Sequence, residues 1–381
     1  MGSWTMENNL KISARQFAIF VILYSIGTTI LLVPGSLAQE VKQDAWIAAL
    51  VGTGVGLLLV VLYNAVGRMF PTMTIVEMNE ILLGRWIGKA VSLTFVFFSL
   101  LSTTELLLYV GTFLTTQVMP DTPMVAIHVI FTCILIMGVR LGLETLARSA
   151  EILFPFFVFL FLILVVTVLI TPGQVNFENI QPVLETGIKP MIHAVYLFTS
   201  FFSLSLIVLL MIFPASVNRP KAAEKTFYIG ILIGGFCLSI IITLAILVLG
   251  ADNSARQMYP SYALAKKISI GDFLQRIEAI MALMWFITIY FKMTLYFYAT
   301  VIGLAQTLKL NNYRPLTIPL GMIVVSLSII VHPNVIHGAT FDKEIWPLYA
   351  STYGLVLPLL LLAVNALRKK IHKHKKNKVF Q

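Results

Sequence analysis

Charge is what this sequence has least of. Only 12% of its 381 residues are Asp, Glu, Lys or Arg, against about 25% in a soluble globular chain. With 58% apolar residues, that shortage excludes both a solvated fold and a charge-rich disordered chain. Cysteine is nearly absent too: Cys133 and Cys237 both sit inside apolar runs, so no disulfide scaffold is expected. No His, Cys or acidic cluster has metal-ligand spacing, no nucleotide-binding loop or Gly-rich phosphate cradle occurs, and no hydrolase motif is present. Neither an enzyme, a metal site nor a cofactor is expected. A mean hydropathy of +0.90 leaves an all-α polytopic membrane protein.

A transmembrane helix needs about 20 mostly apolar residues. Ten segments qualify, some longer and some broken: about 14–38, 45–64, 87–118, 123–139, 143–171, 188–216, 226–250, 272–306, 314–331 and 346–367. Connections are short and polar, so 1–381 reads as one integral membrane domain with a basic tail over 368–381. The small residues of Ser36-Leu37-Ala38 mimic a signal-peptide cleavage site, but the preceding apolar run is too long for one, and the segment is expected to be retained.

Lys and Arg counts orient the segments. With the N-terminus inside, nineteen fall on the cytoplasmic side, seven of them in the tail, against seven outside, and Lys292 lies within a span. Both termini are therefore expected in the cytoplasm. The tail, Arg368 to Lys378, supplies seven units of the net charge of +10, and anionic lipid is its expected partner rather than nucleic acid. Between the second and third segments, Ile75, Met78 and Leu82 share a helical face while Glu77, Asn79 and Glu80 point away, which predicts a short amphipathic helix at the inner interface. The stretch 251–272 is the longest outer connection, a vestibule cover or a plain loop.

The informative residues are those a plain anchor would not contain. Segment one is interrupted near its midpoint by Ser25-Ile26-Gly27-Thr28-Thr29, and segment six by Thr199-Ser200-Phe201-Phe202-Ser203. Broken helices survive in lipid only beside protein or a water-lined cavity. The two occupy corresponding places in two halves of five, about 14–171 and 188–367, and because five is odd the second half lies inverted. Paired broken helices at the midplane of an inverted repeat point to a transporter-like binding site. Small residues for close helix packing explain either break alone; two in symmetric positions favour the site.

The charges agree with this placement. Glu105, beside Thr103 and Thr104, lies at the middle of segment three, and Lys292, between Phe291 and Met293, lies at the middle of segment eight, its repeat counterpart. Charges at the bilayer centre cost at least about 2.5–3.5 kcal/mol each, so both should face the interior. They either pair or hold the two ends of a zwitterion, with a purely structural ion pair as the plainer reading. Candidate ligand-binding residues are Ser25, Gly27, Thr28, Thr29, Thr103, Glu105, Thr199, Ser200, Ser203, Tyr290 and Lys292. The neighbouring aromatics Phe291, Tyr296, Phe297 and Tyr298 are expected to pack or to line the cavity. His128 and His193 are expected to be satisfied core histidines, and Glu278 a vestibule or loop contact. Glu144, Arg148 and Glu151 should form a salt-bridged helix face, or more speculatively a cytoplasmic gate.

The wording around the first break, Ile26-Gly27-Thr28-Thr29-Ile30-Leu31-Leu32-Val33-Pro34, resembles the broken first helix of the amino-acid/polyamine/organocation transporter superfamily. Within it the chain is similar to the spore germination permease family, the B subunits of germinant receptors of the GerAB type. The likeness is carried by Phe70-Pro71 through Gly88-Lys89, Leu143-Glu144 through Glu151, Gly187-Ile188-Lys189-Pro190, Met211-Ile212-Phe213-Pro214, and Arg276-Ile277-Glu278-Ala279 through Gly303-Leu304-Ala305-Gln306. The resemblance implies a LeuT-type ten-helix bundle in the inner membrane of a bacterial spore. It also implies a pocket for a small nutrient germinant, such as an amino acid, a sugar or a nucleoside, with A and C subunits as partners. Relatives often carry Gly-Glu just after the second break, whereas this chain has Leu204-Ser205, so the ligand class is not carried over. A working secondary amino-acid transporter, coupled to a proton or a cation, is the alternative.

Overall fold

In the computed structural model residues 11–268 and 277–379 are described, with side chains to residue 371. The described residues are helical almost throughout, and local sequence sets where helices start and stop. Ser13 opens α1 (Ala14–Ile26) with a capping box: its hydroxyl accepts from the Gln16 N–H at 3.1 Å while the Gln16 carboxamide accepts from the Ser13 N–H at 2.9 Å. After Gly27-Thr28 comes α2 (Thr29–Val41), then α3 (Ala45–Met69). The short α4 (Ile75–Leu83) is capped the same way by Thr74 and Glu77. Next come α5 (Arg85–Phe113), α6 (Met124–Leu141) and α7 (Leu143–Ile170). Single glycines turn α4 into α5 and α6 into α7: Gly84 and Gly142 hold φ of 88° and 90°, angles a side chain would strain.

The second half starts with α8 (Ile188–Phe202), which continues after Ser203 as a 3₁₀ helix over Leu204–Met211. It is followed by α9 (Pro220–Leu249), α10 (Ala251–Arg256), α11 (Pro260–Lys267), α12 (Glu278–Leu308) and α13 (Thr317–Ile330). Then α14 (Val335–Thr340), α15 (Trp346–Ser351) and α16 (Leu357–Val379) join through π-turns at Phe341–Ile345 and Thr352–Val356.

Each of the ten predicted segments coincides with helix over most of its described residues. By length and apolarity eight stretches among the described residues are long enough to cross a membrane, and α1 and Arg314–Ile330 are shorter apolar helices. The count is eight rather than ten because Gly27-Thr28 cuts the first segment and because the ninth is short. Start of segment eight, with Arg276, lies outside the described residues, as do the side chains of the tail beyond Ile371.

Helix neighbours come in exchanged pairs. The first segment packs on the seventh through α1 and α9, and the sixth packs on the second through α8 and α3. The third packs on the ninth through α5 and α13, and the eighth on the fourth through α12 and α6. Exchanging the two halves maps these four contacts onto one another, as expected of an internal two-fold relation.

Polar contacts gather at the two ends of the bundle. At the tail end Arg68 pairs with Glu224 at 2.6 Å, Lys309 with Glu80 at 2.8 Å, and Arg368 donates to the Ile81 carbonyl. At the opposite end the Glu40 carboxylate holds both Lys343 and, at 3.0 Å, His193. His193 is thus a half-exposed hydrogen-bond partner of a carboxylate, not a core histidine. His128 is buried, with Nδ1 2.8 Å from the Ser328 hydroxyl. Arg148 pairs with Glu144, but Glu151 turns to Arg15 at 3.6 Å and Gln16 at 3.1 Å, tying α7 to α1. Ile75, Met78 and Leu82 are buried on α4 as expected, yet Asn79 is buried with them and donates to Ser92 on α5. Residues 251–267 are no plain loop, since Tyr259, which precedes α11, and Tyr262 within it pack edge-on against Phe113, each at 5.2 Å. Glu278 stands in the first turn of α12, where a carboxylate suits the helix dipole.

Candidate functional site

Breaking a helix frees carbonyls that must find donors in a dry interior. At the second break three side chains from other segments supply them. Lys292 Nζ donates to the Phe201 carbonyl at 3.0 Å, Tyr24 Oη to the Ser205 carbonyl at 2.9 Å, and Tyr63 Oη lies 3.1 Å from the Leu204 carbonyl and 2.9 Å from that of Gly354. Gly354 is needed for the last contact, because a Cβ there would strike the backbone of Leu204. Lys292 reaches the first break as well, donating to Thr28 Oγ1 at 3.1 Å. Its stem lies on Gly27, where any Cβ would collide with it, and its ammonium stands 5.3 Å from the Tyr24 ring centre. The C-terminal end of α8 meets this cation at the Phe201 carbonyl, the end where a positive charge is favoured.

Thr28, Phe201 and Lys292 line a small cavity with Ser102, Glu105, Leu106, Tyr109, Tyr296 and Trp346. Its volume of about 20 Å³ admits a single water. Glu105 is 3% and Lys292 2% exposed, yet no ion pair joins them. Glu105 Oε2 instead lies 2.9 Å from Nε2 of His332, whose side chain is buried. Burial first, and then the neighbouring His337, lower the His332 imidazole from its ordinary value. Tyr109, one turn beyond Glu105, donates to Asp342. Three buried polar atoms of the lining, Glu105 Oε1, Tyr296 Oη and Trp346 Nε1, have no hydrogen-bond partner, in a place where such groups are normally satisfied.

Of the predicted residues, Thr28, Glu105 and Lys292 share this cavity, and Gly27 touches it through Lys292. The other hydroxyls serve their own helices. Ser25 donates to the Ile22 carbonyl, Thr103 to Ser99, Thr199 to Val195, Ser200 to Leu197 and Ser203 to Thr199. Thr29 is buried with its hydroxyl unpartnered. Tyr290 lies away from the cavity, its hydroxyl packed against Gly138 of α6. Ser102, Tyr109, Phe201, Trp346 and His332 were not anticipated. Tyr109 alone had a usable signal, its i+4 spacing from Glu105. A larger polar cavity of about 430 Å³ lies towards the tail end, bounded among others by Lys11, Glu77, Glu144, Gln306 and Tyr313. Among the described residues no group of three or more His, Cys, Asp or Glu could hold a metal ion.

The family model described as spore germination protein matches residues 11–336. The chain belongs to the spore germination permease family. Spore germination protein KB of Bacillus subtilis is 31% identical to this germination permease over 362 residues, covering 94% of the chain and 96% of the relative. Spore germination protein YndE of the same organism is 25% identical, with 94% and 98% covered. Among solved structures, a Na+-coupled sialic acid symporter superposes with a TM-score of 0.65 at 11% identity, covering 92% of this chain and 78% of its own. MHP1, a nucleobase-cation-symport-1 family transporter in a closed conformation, gives 0.62 at 11% identity, covering 93% and 82%. The permease therefore has the LeuT-type fold that these two transporters share, with its first and sixth segments broken.

Proposed function

We propose that this permease-like protein is the B-type subunit of a germinant receptor in the inner membrane of a bacterial spore. It senses a small nutrient, an amino acid in our reading, in the cavity between the two breaks. The observation that carries the proposal is Lys292 spanning Thr28 and Phe201 in one cavity with Glu105. An ammonium and a carboxyl on opposite elements suit the carboxylate and the amine of a zwitterion. The cavity admits one water, so ligand enters only when segments one and six part. A nutrient that binds the parted form better shifts the population towards it, and A and C subunits contacting the moving segments read the shift. Both termini face the cytoplasm in this reading, supported by the excess of Lys and Arg on that side.

The second reading is a secondary amino-acid transporter, favoured by the likeness to symporters. Purified protein in liposomes separates the two. Binding of L-alanine or another panel nutrient without uptake supports the receptor; accumulation driven by a proton or cation gradient supports the transporter.

A further inference from the structure

The two oxygens of Glu105 have different surroundings. Oε1 has no hydrogen-bond partner, while Oε2 lies 2.9 Å from Nε2 of His332. Nδ1 of His332 lies in turn 2.9 Å from Nδ1 of His337, and His337 is exposed. Three titratable groups thus form an unbroken line from a cavity-lining carboxyl to the surface. A structural role for His332 would need one bond to the buried carboxyl; it does not call for a second imidazole beyond. The other groups close by stand beside this line and not within it. Lys292 shares the cavity, Tyr109 is occupied with Asp342, and the Phe341 ring packs 5.2 Å from His332.

We infer that Glu105, His332 and His337 form a proton path joining the central cavity to the surface at the end opposite the tail. In the outward step the O–H bond of protonated Glu105 breaks as an N–H bond forms at His332 Nε2. The proton on His332 Nδ1 passes to His337 Nδ1, and His337 releases the proton on its Nε2 to water. One proton leaves, nothing is oxidised or reduced, and Glu105 remains as a carboxylate in the cavity that holds the Lys292 ammonium. The inward step is the reverse. Resting on the reading of this cavity as the nutrient site, the path sets whether Glu105 offers a donor or an acceptor to the ligand, and ties that choice to the pH at one face.

The test needs no nutrient. Full-length protein in liposomes is followed by infrared spectroscopy through the protonated carboxyl band that Glu105→Gln removes, after a switch to deuterium oxide. That band should exchange at least about tenfold more slowly in His332→Gln, which retains a hydrogen bond to Glu105 but cannot relay a proton, and also more slowly in His337→Ala. Amide exchange and thermal unfolding should match wild type in both variants, separating a broken path from a disturbed fold. Equal exchange in wild type and His332→Gln, or no band lost in Glu105→Gln, overturns the path. Neither result bears on nutrient binding, and absence of nutrient binding would leave the exchange result standing.

Discussion

Lys292 is hydrogen-bonded to Thr28 at 3.1 Å and to the Phe201 carbonyl at 3.0 Å, so one ammonium joins the two breaks of the bundle. Lys292→Met leaves the buried Phe201 carbonyl with the Ser205 hydroxyl, 3.3 Å away, as its remaining side-chain donor, a loss of about 0.5–1.5 kcal/mol, while removing a buried charge that was itself costly. Unfolding in detergent should therefore shift modestly. The separation of the breaks should shift strongly, read as increased reactivity of a cysteine placed at position 28 in a background lacking Cys133.

Gly27→Ala should copy much of that phenotype without touching the charge. The added methyl meets the Lys292 stem and must displace it from its two acceptors. Overpacking of this kind costs about 1–3 kcal/mol, and thermal unfolding together with nutrient binding checks it.

Freed carbonyls at broken helices commonly coordinate a cation, and here Lys292 supplies one covalently. Nutrient binding should be the same in sodium, potassium and choline chloride at equal ionic strength. Calorimetric titration in the three salts checks this, and a requirement for sodium would contradict it.

At the opposite end Glu40 ties α2 to Lys343 and to His193. Each pair is partly exposed and worth about 0–1 kcal/mol, so Glu40→Gln should leave unfolding almost unchanged. It should still open that face, since two of the contacts closing it go together. A hydrophilic maleimide added from that side should then label position 28 faster.

Much of this was legible in the chain because the signals are one-dimensional. Apolar run length marked the segments, and Ser, Gly and Thr at two midpoints marked the breaks. Glu105 and Lys292 stood out because a charge there is costly. The partners were not legible. His332 lies far along the chain from Glu105, in a short connection that hydropathy passes over. Tyr24 and Tyr63 carried no signal, since nothing in a sequence shows that their hydroxyls meet freed carbonyls. The hydroxyls of Ser25, Thr199 and Ser203 drew attention by type, yet a Ser or Thr in a helix readily bonds the preceding turn. Asn79 was assigned to the outer face because its burial depends on Ser92 of α5, which helical spacing within α4 does not register.

Tyr63 and Gly354 test the packing around the second break. Tyr63→Phe removes the donor shared by the Leu204 and Gly354 carbonyls and should cost about 1–3 kcal/mol. Gly354→Ala should cost a similar amount by driving the last segment off Leu204. Thermal unfolding of the two single variants and the double should give less than the sum, because they disturb the same contact.

The central claim is that the cavity joined by Lys292 binds a small nutrient. Equilibrium titration of a panel of amino acids, sugars and nucleosides against purified wild type, Lys292→Met and Glu105→Gln tests it most directly. The account predicts an amino acid that binds wild type and is lost, by at least about tenfold in affinity, in both variants. A nutrient bound equally by all three proteins would contradict it.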